Sequence, residues 1–255
     1  MPGSPWLVPI AARDDAPARL FCLPYAGGSA AGFRAWSSLA ARLDLDIQAV
    51  ELPGHGRRIG EPPVLDPDEM ARVVGAAVDR PYLVFGHSLG ARLGFELCRR
   101  LRVRGHGEPE RLFVSGTPGP RLPRVGRGDS RLPEPEFAAR VSGMGGTPAA
   151  ILADPELRAL FLPVIRADFA LGDAYEYVGD APLNCPITAF AGSADPEASP
   201  EQVGAWRAET TGDFRLHVVD GDHFFVHTRL DTLLGLLADD LAAVTEPGAQ
   251  IGQPP

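Results

Sequence analysis

Tyr82-Leu83-Val84-Phe85-Gly86-His87-Ser88-Leu89-Gly90-Ala91 carries an apolar strand directly into a serine flanked by glycines, and the following run, Leu89 to Leu101, has helical patterning. A strand that turns at once into a helix brings the neighbours of the turning residue against strand and helix backbone. The positions two before and two after it must therefore be small. Gly86 and Gly90 meet that requirement, and Ala91 extends the small surface. As bare letters, G-x-S-x-G is weak evidence. Between a strand and a helix it describes a nucleophile elbow, with Ser88 at a helix N-terminus whose unpaired N–H groups favour developing negative charge. A Gly-Ser loop opening an ordinary strand-to-helix turn is the plainer alternative, and the rest of the chain weighs against it.

Working outward, further apolar runs bounded by turn residues lie at Leu20 to Leu23, Ile47 to Leu52, Leu112 to Val114, Ile187 to Ala191 and Leu216 to Val219. Helical patterns fall between them, at about 31–43, 67–78, 89–101, 200–210 and 226–244. Strands without clean polar alternation, alternating with helices, predict an α/β fold with a mainly parallel sheet covered by helices on both faces. The stretch from Gly119 to Asp180 breaks this rhythm. It opens with a Gly-, Pro- and Arg-rich run to Pro135 and continues with helical segments near Pro135 to Val141, Pro148 to Leu160 and Leu162 to Leu171. An insertion of this length predicts a helical lid over the end of the sheet; crossover helices joined by a long loop are the plainer alternative. Residues 1–245 read as a single domain with 119–180 as the lid, and 246–255, which lack apolar periodicity, read as a flexible tail.

Composition bounds the function. The chain has 255 residues, 45% hydrophobic and 22% charged, the balance of a soluble globular domain with one sizeable core. No apolar run approaches the roughly 18 residues of a membrane span, and no basic segment followed by an apolar stretch opens the chain, so a cytoplasmic location is expected. A net charge of -9 argues against broad nucleic-acid binding. Cys22, Cys98 and Cys185, odd in number and widely spaced, read as buried free thiols. There is no H-E-x-x-H, no C-x-x-C and no lysine for a P-loop, so neither metal nor cofactor is expected. The stripe Leu230, Leu233, Leu234, Leu237 and Leu241 reads as core packing.

A serine nucleophile requires a base. His87 adjoins Ser88 in the turn and should point away from it, and His217 lies inside a strand. His223, in Asp220-Gly221-Asp222-His223-Phe224-Phe225, follows a strand and so opens at the same carboxyl edge of the sheet as Ser88; it is preferred over His227, which sits in a helical run. The orienting carboxylate should fall between them in chain order, where Asp195 follows Gly192-Ser193-Ala194 after a strand. Its plainer reading is a turn-forming aspartate before Pro196. Asp220 and Asp222 are too near His223 in sequence to be the obvious partner, and Asp168 belongs to the insertion, facing an undefined direction. For the oxyanion, the natural N–H donors are Leu89, after the nucleophile, and Ala26, in the compact loop Pro24-Tyr25-Ala26-Gly27-Gly28-Ser29.

From about Leu20 to Val244 the chain resembles the external type II thioesterases that accompany modular polyketide and nonribosomal peptide synthetases, members of the α/β-hydrolase superfamily. The resemblance rests on Leu20 to Ala30 with Phe33 and Trp36, Val50-Glu51-Leu52-Pro53-Gly54-His55-Gly56-Arg57-Arg58, Phe85 to Ala91, Arg166-Ala167-Asp168-Phe169 within the insertion, Ala191 to Pro196, and Gly221 to Phe225. It implies a Ser88, Asp195 and His223 triad, oxyanion N–H groups from Ala26 and Leu89, and a mobile lid. It further implies a thioester carried on the phosphopantetheine arm of an acyl or peptidyl carrier domain, with a role in clearing aberrant or stalled acyl groups. No nucleic acid or membrane partner is expected, and the chain is expected to be monomeric. Two departures stand out: His55 where many relatives carry arginine, and Gly116-Thr117-Pro118-Gly119-Pro120 in place of an arginine-containing turn. A carboxylesterase or lipase with the same triad, a fatty-acid chain-releasing thioesterase and a catalytically idle interaction module remain as alternatives.

Overall fold

The computed structural model describes residues 4–122 and 128–245. Strands β1 (Leu7–Ala11), β2 (Ala18–Leu23), β3 (Leu45–Val50), β4 (Tyr82–His87), β5 (Arg111–Ser115), β6 (Ile187–Gly192) and β7 (Phe214–Val219) form one sheet in the order β1-β3-β2-β4-β5-β6-β7. From β3 to β7 every neighbouring pair is parallel. The six expected strands are all present. The seventh, β1, pairs antiparallel with β3 and was hidden by Pro9, which breaks a strand pattern in sequence but is tolerated at a sheet edge; the register slips beside it.

Helices α1 (Ser37–Leu43), α2 (Pro67–Gly75) and α3 (Leu89–Val103) precede an insert of α4 (Glu134–Met144), α5 (Ala149–Ala153) and α6 (Pro155–Ala174); α7 (Pro200–Gly204), α8 (Phe225–Thr228) and α9 (Leu230–Thr245) follow. The absence of polar alternation in β4 has a direct cause. Tyr82 and Val84 join an apolar cluster with residues of α2 and α3, while Leu83 and Phe85 join a second cluster with residues of α1 and α9. Both faces of the sheet are therefore dry, and each fully buried Leu or Phe contributes about 1.5–3 kcal/mol relative to exposure. Leu233, Leu234 and Leu237 of the expected stripe are buried in the second cluster, with Leu230 and Leu241 half-buried beside them. The three cysteines are free and buried, and burial pushes the Cys185 thiol up to about 12, which leaves it inert. Among the described residues, no helix is long and apolar enough to cross a membrane.

Two expected boundaries shift in the insert. The helix expected to stop near Leu160 and restart at Leu162 is one element, α6, with Pro163 inside it. Leu162 and Ile165, on either side of that proline, are buried with Phe137 and Val141 of α4, so tertiary packing holds the helix through a residue that removes one backbone hydrogen bond. The true break lies earlier, at Asp154, whose carboxylate accepts from the N–H groups of Glu156 (2.9 Å) and Leu157 (3.0 Å). The terminal helical run, expected from Val226 to Val244, is interrupted at Arg229 between α8 and α9. The tail expected at 246–255 and part of the Gly-, Pro- and Arg-rich run lie outside the described residues.

The passage from β4 to α3 is the tightest point of the fold. A methyl group on Gly86 would collide with the backbone of Gly90 and Ala91, and one on Gly90 with the carbonyl oxygens of Leu23 and Pro24, the latter at 2.6 Å. Gly90→Ala should therefore cost at least about 1–3 kcal/mol of unfolding free energy in urea titrations. Gly235→Ala, in open space within α9, should instead gain about 0.4–1 kcal/mol.

Candidate active site

Ser88 takes φ 54° and ψ -115°, one of only two described non-glycine residues with positive φ, at a cost of order 1–3 kcal/mol. Its backbone N–H donates to the Ser115 carbonyl (2.8 Å), which anchors the turn to the neighbouring strand. Leu89 follows as the first residue of α3, so its N–H has no carbonyl within the helix to bond.

The loops after β6 and β7 are stitched together by their backbones. The N–H groups of Ser193 and Ala194 donate to the carbonyls of Val219 (2.8 Å) and Gly221 (2.9 Å), and Gly192 lies so close that a Cβ there would meet the Asp222 carbonyl at 2.6 Å. This seam brings the two predicted residues into register. His223 Nδ1–H donates to Asp195 Oδ2 at 2.8 Å, both side chains being buried. The second carboxylate oxygen of Asp195 accepts from the Glu197 N–H at 2.8 Å, so the turn-forming role weighed for this aspartate coexists with the pairing. The other imidazole nitrogen, His223 Nε2, is buried with no hydrogen-bond partner among the described residues. Ser88 and His223 together line two small cavities.

Those cavities differ in chemistry. One, of about 70 Å³, is bordered by Arg92, Thr117, Asp129, Arg140 and Glu197. The other, of about 20 Å³, is bordered by Tyr25, Ala26, Val141, Met144, Ile165 and Phe224. Val141 and Met144 of α4 and Ile165 and Phe169 of α6 supply one side of the apolar wall, which places the insert directly over the carboxyl edge of the sheet. Ala26 borders the apolar cavity.

Three other histidines are occupied elsewhere. His87 shares a hydrogen bond with Ser115 Oγ (3.0 Å), and burial, followed by the nearby His223 and His227, holds its pKa well below the ordinary value, so it stays neutral beneath the site. His217 pairs with Asp240 (3.1 Å) on the sheet. His227 is stacked on Phe224 and lies 3.2 Å from the Tyr25 hydroxyl.

Two arrangements were not legible in the sequence. Asp168, weighed there as an acid of undefined direction, is engaged away from His223, which pairs with Asp195; its Oδ2 accepts from the Gly27 N–H (2.7 Å) and from His55 Nε2 (2.9 Å). Arg140 of α4 donates to Glu197 (2.6 Å) and Asp129 (2.8 Å), and hydrogen bonding to Glu197 is the main cause of its raised pKa. The insert is thus bonded to the loop that carries Ala26 and to the loop that carries Asp195. The Arg166-Ala167-Asp168-Phe169 stretch signalled Asp168 in sequence but not its partners, which lie 113 and 141 residues away.

A thioesterase-domain family model matches residues 18–241. Gramicidin S biosynthesis protein GrsT of Aneurinibacillus migulanus is 33% identical over 95% of this chain and 96% of its own. Thioesterase PikA5 of Streptomyces venezuelae is 34% identical over 98% of this chain and 90% of its own. The solved structure of BorB, a type II thioesterase from the borrelidin biosynthetic cluster, superposes with a TM-score of 0.83 at 35% identity, covering 94% of this chain and 99% of that one. With its parallel sheet, the serine at the elbow and relatives that match it along nearly their whole length, the chain belongs to the thioesterase family of the α/β-hydrolase fold, alongside the type II thioesterases.

Proposed function

We propose that Ser88, His223 and Asp195 are the nucleophile, general base and orienting acid of this thioesterase, and that it releases acyl groups borne as thioesters on acyl or peptidyl carrier domains. The observation that carries the reading is the His223 imidazole. One nitrogen is bonded to Asp195 at 2.8 Å, and the other is buried and unsatisfied beside Ser88. In the reaction, Ser88 Oγ attacks the acyl carbonyl as His223 Nε2 takes its proton. The oxyanion is held by the N–H groups of Ala26 and Leu89, and collapse expels the thiol, which receives the proton from His223. A water molecule, deprotonated by the same nitrogen, then attacks the acyl-enzyme, releasing the free acid and restoring Ser88. Asp195 keeps the proton on Nδ1 so that Nε2 is the basic atom.

The insert of α4 to α6 acts as a lid in this reading. Its apolar residues suit an acyl chain, and the polar chamber beside Arg92 and Thr117 suits the amides of a phosphopantetheine arm that belongs to the substrate. The names of GrsT, a gramicidin S biosynthesis protein, and of BorB, a type II thioesterase from the borrelidin biosynthetic cluster, support a role in clearing aberrant or stalled acyl groups during secondary-metabolite synthesis. The reading extends to a monomer acting in the cytoplasm without a cofactor. Carrier domains are commonly acidic, so docking on a chain of net charge -9 needs a local basic patch. Four arginines, Arg57, Arg58, Arg121 and Arg124, are candidates: Arg58 is buried and bonded to Glu61, Arg121 is bonded to Glu209, Arg124 lies outside the described residues, and Arg57 is exposed.

Incubation with a panel of acyl-carrier conjugates should give an acyl-enzyme adduct by mass spectrometry that is absent from Ser88→Ala; an adduct retained in that variant would overturn the nucleophile. Asp195→Asn should lower kcat about 10³–10⁴-fold while leaving the circular-dichroism melting curve nearly unchanged. Arg57→Ala should raise KM for carrier-borne acyl groups and spare small acyl-thiol surrogates. Equal effects on both substrates would rule out docking at this residue.

A further inference from the structure

The loop that carries Ala26 is held by two buried carboxylates that take no part in the triad. Glu51 Oε1 accepts from the Ala30 N–H at 3.0 Å, and Asp168 Oδ2 accepts from the Gly27 N–H at 2.7 Å. Gly27 has φ 77°, and a Cβ there would meet Ile165 Cγ1 at 2.8 Å, so one turn of α6, from Ile165 to Asp168, lies directly on the loop. The residue next to this clamp supplies the N–H assigned above to the oxyanion.

His55 completes the arrangement. Its ring is buried between two groups that can only accept hydrogen bonds: the Pro53 carbonyl, 3.0 Å from Nδ1, and the Asp168 carboxylate, 2.9 Å from Nε2. A neutral imidazole has one N–H and can satisfy only one of them; the imidazolium donates to both. The charged groups that face the ring are Asp168 from α6 and Glu51 from the residue after β3, both negative. Arg58 nearby is engaged by Glu61 and by the Trp6 ring. Burial pulls the His55 pKa down, but the hydrogen bond and charge of Asp168, the Pro53 carbonyl and the charge of Glu51 outweigh it, and the net shift is upward.

We propose that Asp168 and His55 are positioning residues for the oxyanion loop: His55, held as an imidazolium, supports the Asp168 carboxylate that fixes the Gly27 N–H and with it the direction of the Ala26 N–H. The proposal rests on the role assigned above to Ala26. It makes catalysis sensitive to a proton outside the triad. Because the folded pKa of His55 is raised, its support is complete below the free-histidine value of about 6.5 and is lost as pH rises through the higher folded value.

The test is the pH dependence of kcat and KM for hydrolysis of a small acyl-N-acetylcysteamine thioester by the wild type, His55→Arg, His55→Gln and Asp168→Asn, with nitrogen NMR of the His55 ring in the wild type. The expected wild-type kcat falls on the alkaline side at the pH where the His55 ring loses its second proton, with KM little changed. Asp168→Asn and His55→Gln should lower kcat by about 10- to 100-fold, the scale of a misplaced oxyanion donor. His55→Arg, whose charge does not titrate in this range, should recover most of that loss and abolish the alkaline fall. An uncharged His55 ring at pH 7, or an alkaline limb unmoved in a folded His55→Arg, overturns the proposal. Wild-type protein that hydrolyses no thioester at any pH overturns the functional reading and this one with it. Hydrolysis that is normal but indifferent to His55 overturns this one alone.

Discussion

The chain passes from β4 to α3 through one residue, and the geometry of that passage sets the terms for everything around it. Ser88 is forced to φ 54°, and the two glycines that flank it leave the α3 backbone close to the carbonyls of Leu23 and Pro24. A tight turn of this kind exposes a side chain at the carboxyl edge of a parallel sheet while aiming the first free N–H of a helix at the same space. It also brings the loop after β2 against the nucleophile, because Gly90 has no side chain to hold that loop away. The nucleophile and both proposed oxyanion donors are therefore consequences of one steric constraint.

The base and its acid depend on a second, looser constraint, the adjacency of β6 and β7. Parallel pairing of these strands places both following loops at the same edge, and the hydrogen bonds from Ser193 and Ala194 lock the loops together so that His223 and Asp195 meet at 2.8 Å. Strands β5 and β6 lie between β4 and β7, so the histidine loop has to reach back across them toward Ser88. Burial of Nε2 without a partner is costly in a resting protein, at about 1–3 kcal/mol for an unmade hydrogen bond.

The helical insert has its own small core around Phe137, Val141, Leu162 and Ile165, separate from the two clusters that sandwich the sheet. Besides the packing of Leu171 and Ile165, its attachment to the body includes charged contacts: Asp168 reaches the Gly27 N–H and His55, and Arg140 reaches Glu197. Each of these contacts ends on a loop that also carries a proposed site residue. Cover over the cavity and the shape of the loops beneath it are consequently linked through charged hydrogen bonds as well as through apolar packing.

The sequence by itself determined the parts of this protein that follow from local rules. Small residues around Ser88 specify the elbow, uninterrupted apolar runs specify strands buried on both faces, and a strand before each of Asp195 and His223 specifies the edge on which they emerge. It also carried, through the spacing of its motifs, the family to which the chain belongs. Whatever depends on distant residues meeting emerged only on folding. Strand β1 needed an edge position to accommodate Pro9, and α6 needed its contacts with α4 to run through Pro163. Asp168 had no readable direction in sequence, because the groups that define it, Gly27 and His55, belong to loops 141 and 113 residues away. A carboxylate's role is set by the donors around it, and those donors are assembled by folding.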